Sequence, residues 1–308
     1  MTTTRSARGL TWIDLEAPSE QEIAAVIQRF GINPLVGEEL RSSSSLAKVS
    51  LFKRHLFVAL TVPVRVKAGG AYAIGNREID FVIGDDFLVT SRADTVEQLE
   101  NFGKIFEANA ILSGGAEGGI EHGGHLFYYL VMKLYVGMVE DLENIKDDLL
   151  DAESRIFTGD ERRMVAALSK LSRELIDFRQ TARVHRDIWT EMLEEDKSLF
   201  GSGFKPYIGR LGDEFDRIHE LIANCRELLT DLRETNDSLL NTKQNDIIRT
   251  LTVINFIFIP ATFIAALFTI PASYVPLIGT DAGWTVILLV MVAITVVIWA
   301  FIKRKGWL

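Results

Sequence analysis

The feature that most constrains the fold is a pair of apolar segments close to the C-terminal end. Residues 251–268 include eleven Leu, Ile, Val or Phe side chains and no charge, and residues 284–302 are nineteen consecutive uncharged positions. The first composition favours membrane insertion by roughly 3 to 6 kcal/mol on translocon scales. The second is close to the length of about 20 residues that crosses a hydrocarbon core of about 30 Å. The sequence therefore predicts a two-helix transmembrane hairpin.

The first apolar segment carries a polar stripe along one helical face, because steps of three and four residues stay on one side of a helix. The eight stripe residues are Asn245, Ile248, Thr252, Asn255, Ile259, Thr262, Ala266 and Thr269. A single threonine here is most simply a hydrogen bond to a neighbouring helix, but five of the eight positions carry a hydroxyl or an amide. Five polar residues in register indicate a water-lined pore. One helix cannot enclose a pore, so the stripe predicts a homo-oligomer with these residues lining its axis.

Composition narrows the possible partners. The apolar excess is concentrated in the C-terminal segments, which leaves about 240 residues for a soluble portion. With 33 Lys and Arg against 42 Asp and Glu, the net charge of −9 argues against a nucleic-acid partner and agrees with attraction of cations. The single cysteine, Cys225, cannot form an intramolecular disulfide and fits a reducing compartment.

Basic residues predict the orientation of the hairpin. Residues 303–305 are Lys-Arg-Lys and follow the second apolar segment, and Lys243 and Arg249 precede the first. The loop 270–283 between the two segments carries one charge. Cytoplasmic flanks are enriched in Lys and Arg, so both termini of this multi-pass chain are expected in the cytoplasm, with lipid around the hairpin in the inner or plasma membrane. The first eighteen residues lack the apolar core of a signal peptide.

The N-terminal part has the pattern of an α+β domain. Ser19 and Glu22 form a capping box for a helix that ends at Gly31, and Pro34 can begin a further short helix. Strands are predicted at residues 11–15, 49–51, 56–66, 78–83 and 87–90. Helical spacing returns at residues 95–112, and the glycine-rich stretch 113–124 predicts irregular structure.

Beyond residue 124 the apolar spacing is helical, over residues 125–157, about 160–200, and from Asp213 into the membrane. If this third helix is unbroken to residue 268, it is about 84 Å long at 1.5 Å per residue. Its heptad-like seam comprises Phe215, Ile218, Ile222, Cys225, Leu229 and Leu232, followed by Asn236. The predicted domains are a cytoplasmic α/β domain (1–124), a long acidic helical hairpin (125–212), a stalk helix (213–250) and a transmembrane hairpin with a basic tail (251–308).

The sequence contains no catalytic constellation and no cofactor motif. His122 and His125 match zinc-ligand spacing weakly and lie in a glycine loop. Cys225 on the seam fits a small buried hydrophobe, and His185 is an isolated helical histidine. The chain is therefore expected not to be an enzyme, and no metal ligands can be assigned.

One segment is strongly acidic. Seven acids stand against one lysine between residues 140 and 153, namely Glu140, Asp141, Glu143, Asp147, Asp148, Asp151 and Glu153. A solvated helix face is the simpler interpretation, and a cation-attracting surface is the alternative. If the surface attracts cations, the cytoplasmic assembly is expected to bind divalent ions at contacts between subunits, and the pore is expected to close when the ion is plentiful.

The whole arrangement resembles the CorA-like magnesium transporter family. Residues 259–265, Ile-Pro-Ala-Thr-Phe-Ile-Ala, are similar to the family's Met-Pro-Leu-Thr-Phe-Ile-Ala segment, and residues 303–308, Lys-Arg-Lys-Gly-Trp-Leu, are similar to its basic tail. Tyr274 and Pro276 fit the loop pattern Tyr-Met-Pro. The resemblance implies a CorA-like homo-oligomer, a pentamer, that carries Mg²⁺ or else Co²⁺ through a central pore lined by the first membrane helix.

The sequence departs from the family at the outer end of that helix. The signature Tyr-Gly-Met-Asn falls on Phe268, Thr269, Ile270 and Pro271, so its glycine and asparagine are absent. The resemblance implies that this asparagine ring holds the hydrated cation, and Asn255, deeper in the membrane, is expected to supply a substitute ring of amides. Two alternatives stay open, a zinc transporter of the same superfamily and a membrane-anchored cytoplasmic sensor or scaffold that does not conduct.

Overall fold

Apolar and alternating segments of the N-terminal part form one mixed β-sheet. The computed structural model describes residues 1–7, 9–41, 47–68, 70–112, 120–194, 199–267, 269 and 283–304. The strands of these residues are β1 (Thr2–Ala7), β2 (Leu10–Glu16), β3 (Lys48–Leu51), β4 (Leu56–Ala68), β5 (Ala71–Ile83) and β6 (Phe87–Arg92). Their order is β1-β2-β6-β5-β4-β3. Only the β2 and β6 pair is parallel, because helices and strands separate these two in the chain.

The predicted strands are confirmed, with two differences. β1 was missed because its sequence, TTTRSA, has no apolar alternation. β5 begins at Ala71 instead of residue 78, and it pairs with β4 without interruption from Leu56 opposite Ile83 to Ala68 opposite Ala71. A long pairing register therefore overrides the local turn preference of Gly75 and Asn76.

One face of the sheet is covered by two short helices. α1 (Glu20–Phe30) begins with the predicted capping box of Ser19 and Glu22, and it ends at Gly31 in the left-handed conformation, with φ of 62°. α2 (Pro34–Glu39) begins with the predicted proline. The core between these helices and the sheet contains Ile13, Leu15, Ile23, Val26, Ile32, Val36, Leu40, Phe57, Ala59, Val82, Phe87 and Val89.

The opposite face is covered by α3 (Glu97–Leu112), α4 (Gly123–Phe157) and α5 (Glu161–Ala182). Phe81 of β5 and Phe127 of α4 meet edge to face, with ring centroids 5.1 Å apart. The expectation of irregular structure up to residue 124 is wrong at its end, since α4 begins at Gly123. A Cβ atom on Gly123 would lie 2.3 Å from the carbonyl oxygens of Gly84 and Phe87, so this close approach requires glycine.

The second predicted long helix is interrupted. α5 ends at Ala182 and α6 (His185–Glu194) follows after two turn residues. The interruption places His185 and Trp189 in the core, where their relative exposures are 0% and 2%. Tertiary packing of two large side chains thus outweighs the helical propensity of the segment.

The third long helix, α7 (Lys205–Leu267), is continuous as predicted, but it begins at Lys205 instead of near Asp213. Pro206 lies in its first turn, where a missing N–H group costs nothing. The seam residues Phe215, Ile218, Ile222, Cys225, Leu229 and Leu232 are all buried, and Asn236 is buried as well. The chain forms two compact units, Met1–Arg233 and Glu234–Leu308, and the second contains the end of α7 and α8 (Gly283–Arg304). Both helices are long and apolar enough to cross a membrane.

Candidate functional site

The polar stripe lies on one side of the C-terminal part of α7. Its residues from Asn245 to Ala266 are helical, and Thr269 follows in a turn. Within the single chain Thr252 is half-buried and the other seven stripe residues are exposed. The stripe is therefore a surface that the chain itself leaves open.

The face of α7 opposite the stripe is the less exposed one. Val253 is buried, and Ile257, Pro260, Ala261 and Ile264 are half-buried. At about 100° per residue, these five positions cluster on the side of the helix roughly opposite to the stripe. Ala261 also lines a groove of about 300 Å³ together with residues of α8. Within this unit, α8 thus lies towards the apolar face, and the stripe points away from it.

The threonine hydroxyls of the stripe donate their protons to the helix backbone. Thr252 Oγ1 donates to the carbonyl of Ile248 at 2.7 Å, and Thr262 Oγ1 donates to the carbonyl of Phe258 at 2.8 Å. Thr269 Oγ1 donates to the carbonyl of Ala266 at 2.7 Å. A hydroxyl that has donated its proton keeps only acceptor capacity. The stripe therefore presents oxygen lone pairs to whatever lies beside it.

Asn255 is the central amide of the stripe. Its side chain is exposed, and it makes no hydrogen bond to any residue that the structure describes. An amide offers a carbonyl oxygen and two N–H donors, which are costly to leave unpaired in hydrocarbon. Of the four residues aligned with the family signature, only Thr269 is described, and Phe268, Ile270 and Pro271 lie outside the described residues.

His122 and His125 do not lie in a glycine loop, because His122 is the N-cap of α4 and His125 is in its first turn, where the two rings join an aromatic cluster. The rings of His122 and His125 stack with centroids 4.0 Å apart, and His122 also stacks on Phe200 at 4.7 Å. Burial lowers the pKa of both imidazoles. Repulsion from the nearby His125 lowers the pKa of His122 further. Among the described residues no three His, Cys, Asp or Glu side chains come together as metal ligands. Packing of neutral rings accounts for this pair.

The helical histidine belongs to a buried hydrogen-bond chain. Trp189 Nε1 donates to Tyr135 Oη at 2.7 Å, and His185 Nε2 lies 2.9 Å from the carbonyl of Thr61. A carbonyl only accepts, so Nε2 carries the proton, and Nδ1 accepts from Tyr135 Oη at 3.0 Å. Cys225, the other isolated residue considered above, is a buried free thiol whose pKa is raised by burial.

Two of the seven acids in the acidic segment serve a structural role. Arg65 of β4 binds Asp148 and the buried Glu174, the latter at 2.9 Å, and its backbone N–H donates to Asp141 at 2.8 Å. Its guanidinium also lies 4.3 Å above the ring of Tyr72. The other acids of the segment are exposed, apart from the half-buried Glu153. They remain available for a second role.

One polar pocket of the structure was not predicted from the sequence. Asp80, on the β5 face that packs against α1 and α2, is only 8% exposed and lines a pocket of about 420 Å³. The sequence did contain a signal for this pocket. Residues two apart on a strand point to the same face, so Asp80 shares the inward face of the core residue Val82.

Comparisons with a family model, with related sequences and with solved structures point to the same family. The family model described as "CorA-like Mg2+ transporter protein" matches residues 7–304. The cobalt/magnesium transport protein CorA of Thermotoga maritima is 24% identical over 301 residues, which cover 97% of this chain and 83% of that protein. The magnesium transport protein CorA of Salmonella typhimurium is 23% identical, with 96% and 92% covered. The complete structure of the CorA magnesium transporter from Methanocaldococcus jannaschii superposes with a TM-score of 0.82 at 19% identity, covering 97% of this chain and 92% of that one.

Proposed function

The chain belongs to the CorA-like Mg²⁺ transporter family, and we propose that it is a divalent cation channel or transporter whose pore is lined by the polar stripe of α7. Mg²⁺ is the first candidate for the transported ion and Co²⁺ the second. The observation that carries this proposal is the position of the stripe, which faces away from α8 and is open to other copies of the chain.

The chemistry of the stripe suits an ion that keeps its water shell. Mg²⁺ dehydrates reluctantly, so a pore has to bind the hydrogen atoms of its coordinated waters. Thr252 and Thr262 supply oxygen acceptors because their own protons are donated to the backbone. Asn255 supplies a carbonyl oxygen between them, one helical turn beyond Thr252 along the stripe. Rings of such oxygens bind a hydrated cation without stripping it.

A pore requires several copies of α7 around an axis, and we propose a homopentamer. The exposed stripe supports assembly, because an asparagine facing lipid is unfavourable and finds water or a partner chain in an oligomer. In this assembly Asn255 takes the place of the amide ring that the signature lacks at Pro271. The same arrangement places the apolar flanks of α7 and α8 against lipid and neighbouring helices.

The charges at the membrane ends support a defined orientation. Lys303 and Arg304 end α8, and Lys243 and Arg249 precede the apolar part of α7. Both termini therefore face the cytoplasm, in the inner or plasma membrane of the cell, by the enrichment of Lys and Arg on that side. The exposed acids of α4 are proposed to bind divalent ions at contacts between subunits and to couple ion abundance to closure.

The test is ion flux into liposomes that contain the purified protein. Internal indicator dyes should report entry of Mg²⁺ or Co²⁺ well above the rate of protein-free liposomes. Entry of Zn²⁺ without entry of Mg²⁺ would support the zinc transporter instead. Failure of all three ions to enter would support a non-conducting sensor and would refute the proposal.

A further inference from the structure

The pocket beside Asp80 is lined by two polar side chains that belong to largely buried residues. Asp80 and Ser91 lie opposite each other on β5 and β6, with relative exposures of 8% and 4%. Side chains directly opposite in an antiparallel pair have Cβ atoms about 5 Å apart. Neither side chain forms a hydrogen bond or an ion pair with any part of the chain that the structure describes. Because both side chains open into the pocket, water or a ligand there can hydrogen-bond to them.

Acidic groups outnumber basic ones in the pocket lining, with Asp80, Glu20 and Glu78 beside Arg41 and Arg92. Burial, together with the negative charges of Glu78 and Glu39, raises the pKa of Asp80 to about 8. Arg92 also lines the pocket, but its guanidinium is held by Asp14 at 3.0 Å. A ligand cation beside Asp80 would favour the ionised carboxylate and displace its proton.

The pocket lining has a charged part and an apolar part. Glu20, in the first turn of α1, and Glu78, two residues before Asp80 on β5, add acidic groups, and Arg41 lies on the α2 side. Pro18, Ile23 and Leu40 form the apolar part of the lining. Positions two apart on a strand are separated by about 7 Å, so the acids are spread along the pocket.

This spacing favours an extended organic cation over a metal ion as the ligand of the pocket. Divalent metals need several oxygen ligands around one point, and in the described ranges no three acidic, histidine or cysteine side chains converge in that way. An ammonium group has three donors, and Asp80 and Ser91 together offer acceptors on one side of it. A methylene chain matches the apolar wall, and a second ammonium group matches the outlying Glu20.

We propose that the Asp80 pocket is a binding site for a small aliphatic diamine or polyamine, with one ammonium group between Asp80 and Ser91 and another towards Glu20. The methylene chain packs along Pro18, Ile23 and Leu40. This site lies in the N-terminal unit and is independent of the pore proposal, because binding is measured without ion flux.

The experiment is isothermal titration of the full-length protein in detergent with putrescine, spermidine and butylamine. Putrescine and butylamine share the same carbon chain and differ by one ammonium group. Asp80→Asn should weaken putrescine binding by about tenfold to 100-fold, as expected for loss of a charged hydrogen bond. The control Asp86→Asn changes an exposed carboxylate in the β5–β6 turn and should leave binding unchanged.

Two further comparisons make the site specific. Glu20→Gln should weaken putrescine binding several-fold and leave the weaker binding of butylamine unchanged. If Asp80→Asn unfolds, Ser91→Ala tests the same site, with an expected loss of roughly twofold to tenfold for one neutral hydrogen bond. The proposal is overturned if wild-type protein binds no amine, if Asp80→Asn and Asp86→Asn bind amines equally, or if Asp80 controls binding of Mg²⁺ alone.

Discussion

Acidification should destabilise the N-terminal unit through one buried residue, His185. Burial lowers the pKa of this imidazole from 6.5 to about 4, against a smaller opposing effect of the Thr61 carbonyl. The unfolded chain therefore binds a proton near pH 6.5, and the folded chain does not until about pH 4. The stabilisation is complete above pH 6.5 and is lost as the pH falls towards 4.

The size of the effect follows from the two pKa values. The difference between 6.5 and about 4 corresponds to about 3 kcal/mol, of which about 2 kcal/mol is already lost at about pH 5. In a unit of 233 residues, about 2 kcal/mol shifts the unfolding midpoint by roughly 4 to 8 °C. The structural cause is the complete burial of the imidazole, which leaves no water to solvate a protonated ring.

The assay is thermal unfolding of the full-length protein in detergent at about pH 7.5 and about pH 5. Other groups also titrate in this range, so the quantity of interest is the difference between wild type and His185→Gln. Wild type should lose roughly 4 to 8 °C more than this variant on acidification. His219→Gln, at an exposed position on α7, should behave like wild type. Parallel pH profiles of wild type and His185→Gln would refute the reasoning.

Three further predictions concern assembly, ion binding and the Arg65 network. A cysteine at Thr262 should cross-link between chains far more than one at Phe263, and equal cross-linking would remove the pore assignment. Millimolar Mg²⁺ should stabilise the oligomer, by about 2.7 kcal/mol at 100 times the dissociation constant, and so raise its unfolding midpoint; an unchanged midpoint would exclude regulatory sites. Arg65→Met should destabilise by about 3 kcal/mol because it removes the hydrogen-bonded partner of the buried Glu174 and leaves only Lys170, 3.6 Å away, and adding Glu174→Leu should recover most of this in denaturation experiments.

Much of the fold could be predicted from the sequence, at positions where local and tertiary preferences agree. The capping box at Ser19, the glycine stop at Gly31 and the buried seam from Phe215 to Leu232 follow directly from spacing and capping chemistry. β1 was not predictable in this way because an edge strand of polar residues has no periodic signal. The break before His185 depends on a hydrogen bond to Thr61, 124 positions away in the chain, which no local pattern contains.

The candidate site could also be predicted from the sequence only in part. The stripe needs only helical spacing, so its positions on α7 could be predicted, and their role in a pore stays a proposal. The acceptor character of Thr252 and Thr262 required coordinates, because it depends on where each hydroxyl proton points. The Asp80 pocket was missed because its polar side chains come from different strands and meet only through the register of the sheet.

The most direct test of the water-lined pore is divalent cation flux through Asn255→Leu in liposomes, measured beside Phe256→Leu and Pro271→Asn. A leucine ring offers no oxygen to a hydrated ion and excludes water. We predict that Asn255→Leu assembles normally and reduces flux by at least about tenfold, whereas Phe256→Leu conducts like wild type and Pro271→Asn changes flux only modestly. Normal flux through Asn255→Leu together with strongly altered flux through Pro271→Asn would contradict the account and place the selective element at the outer mouth.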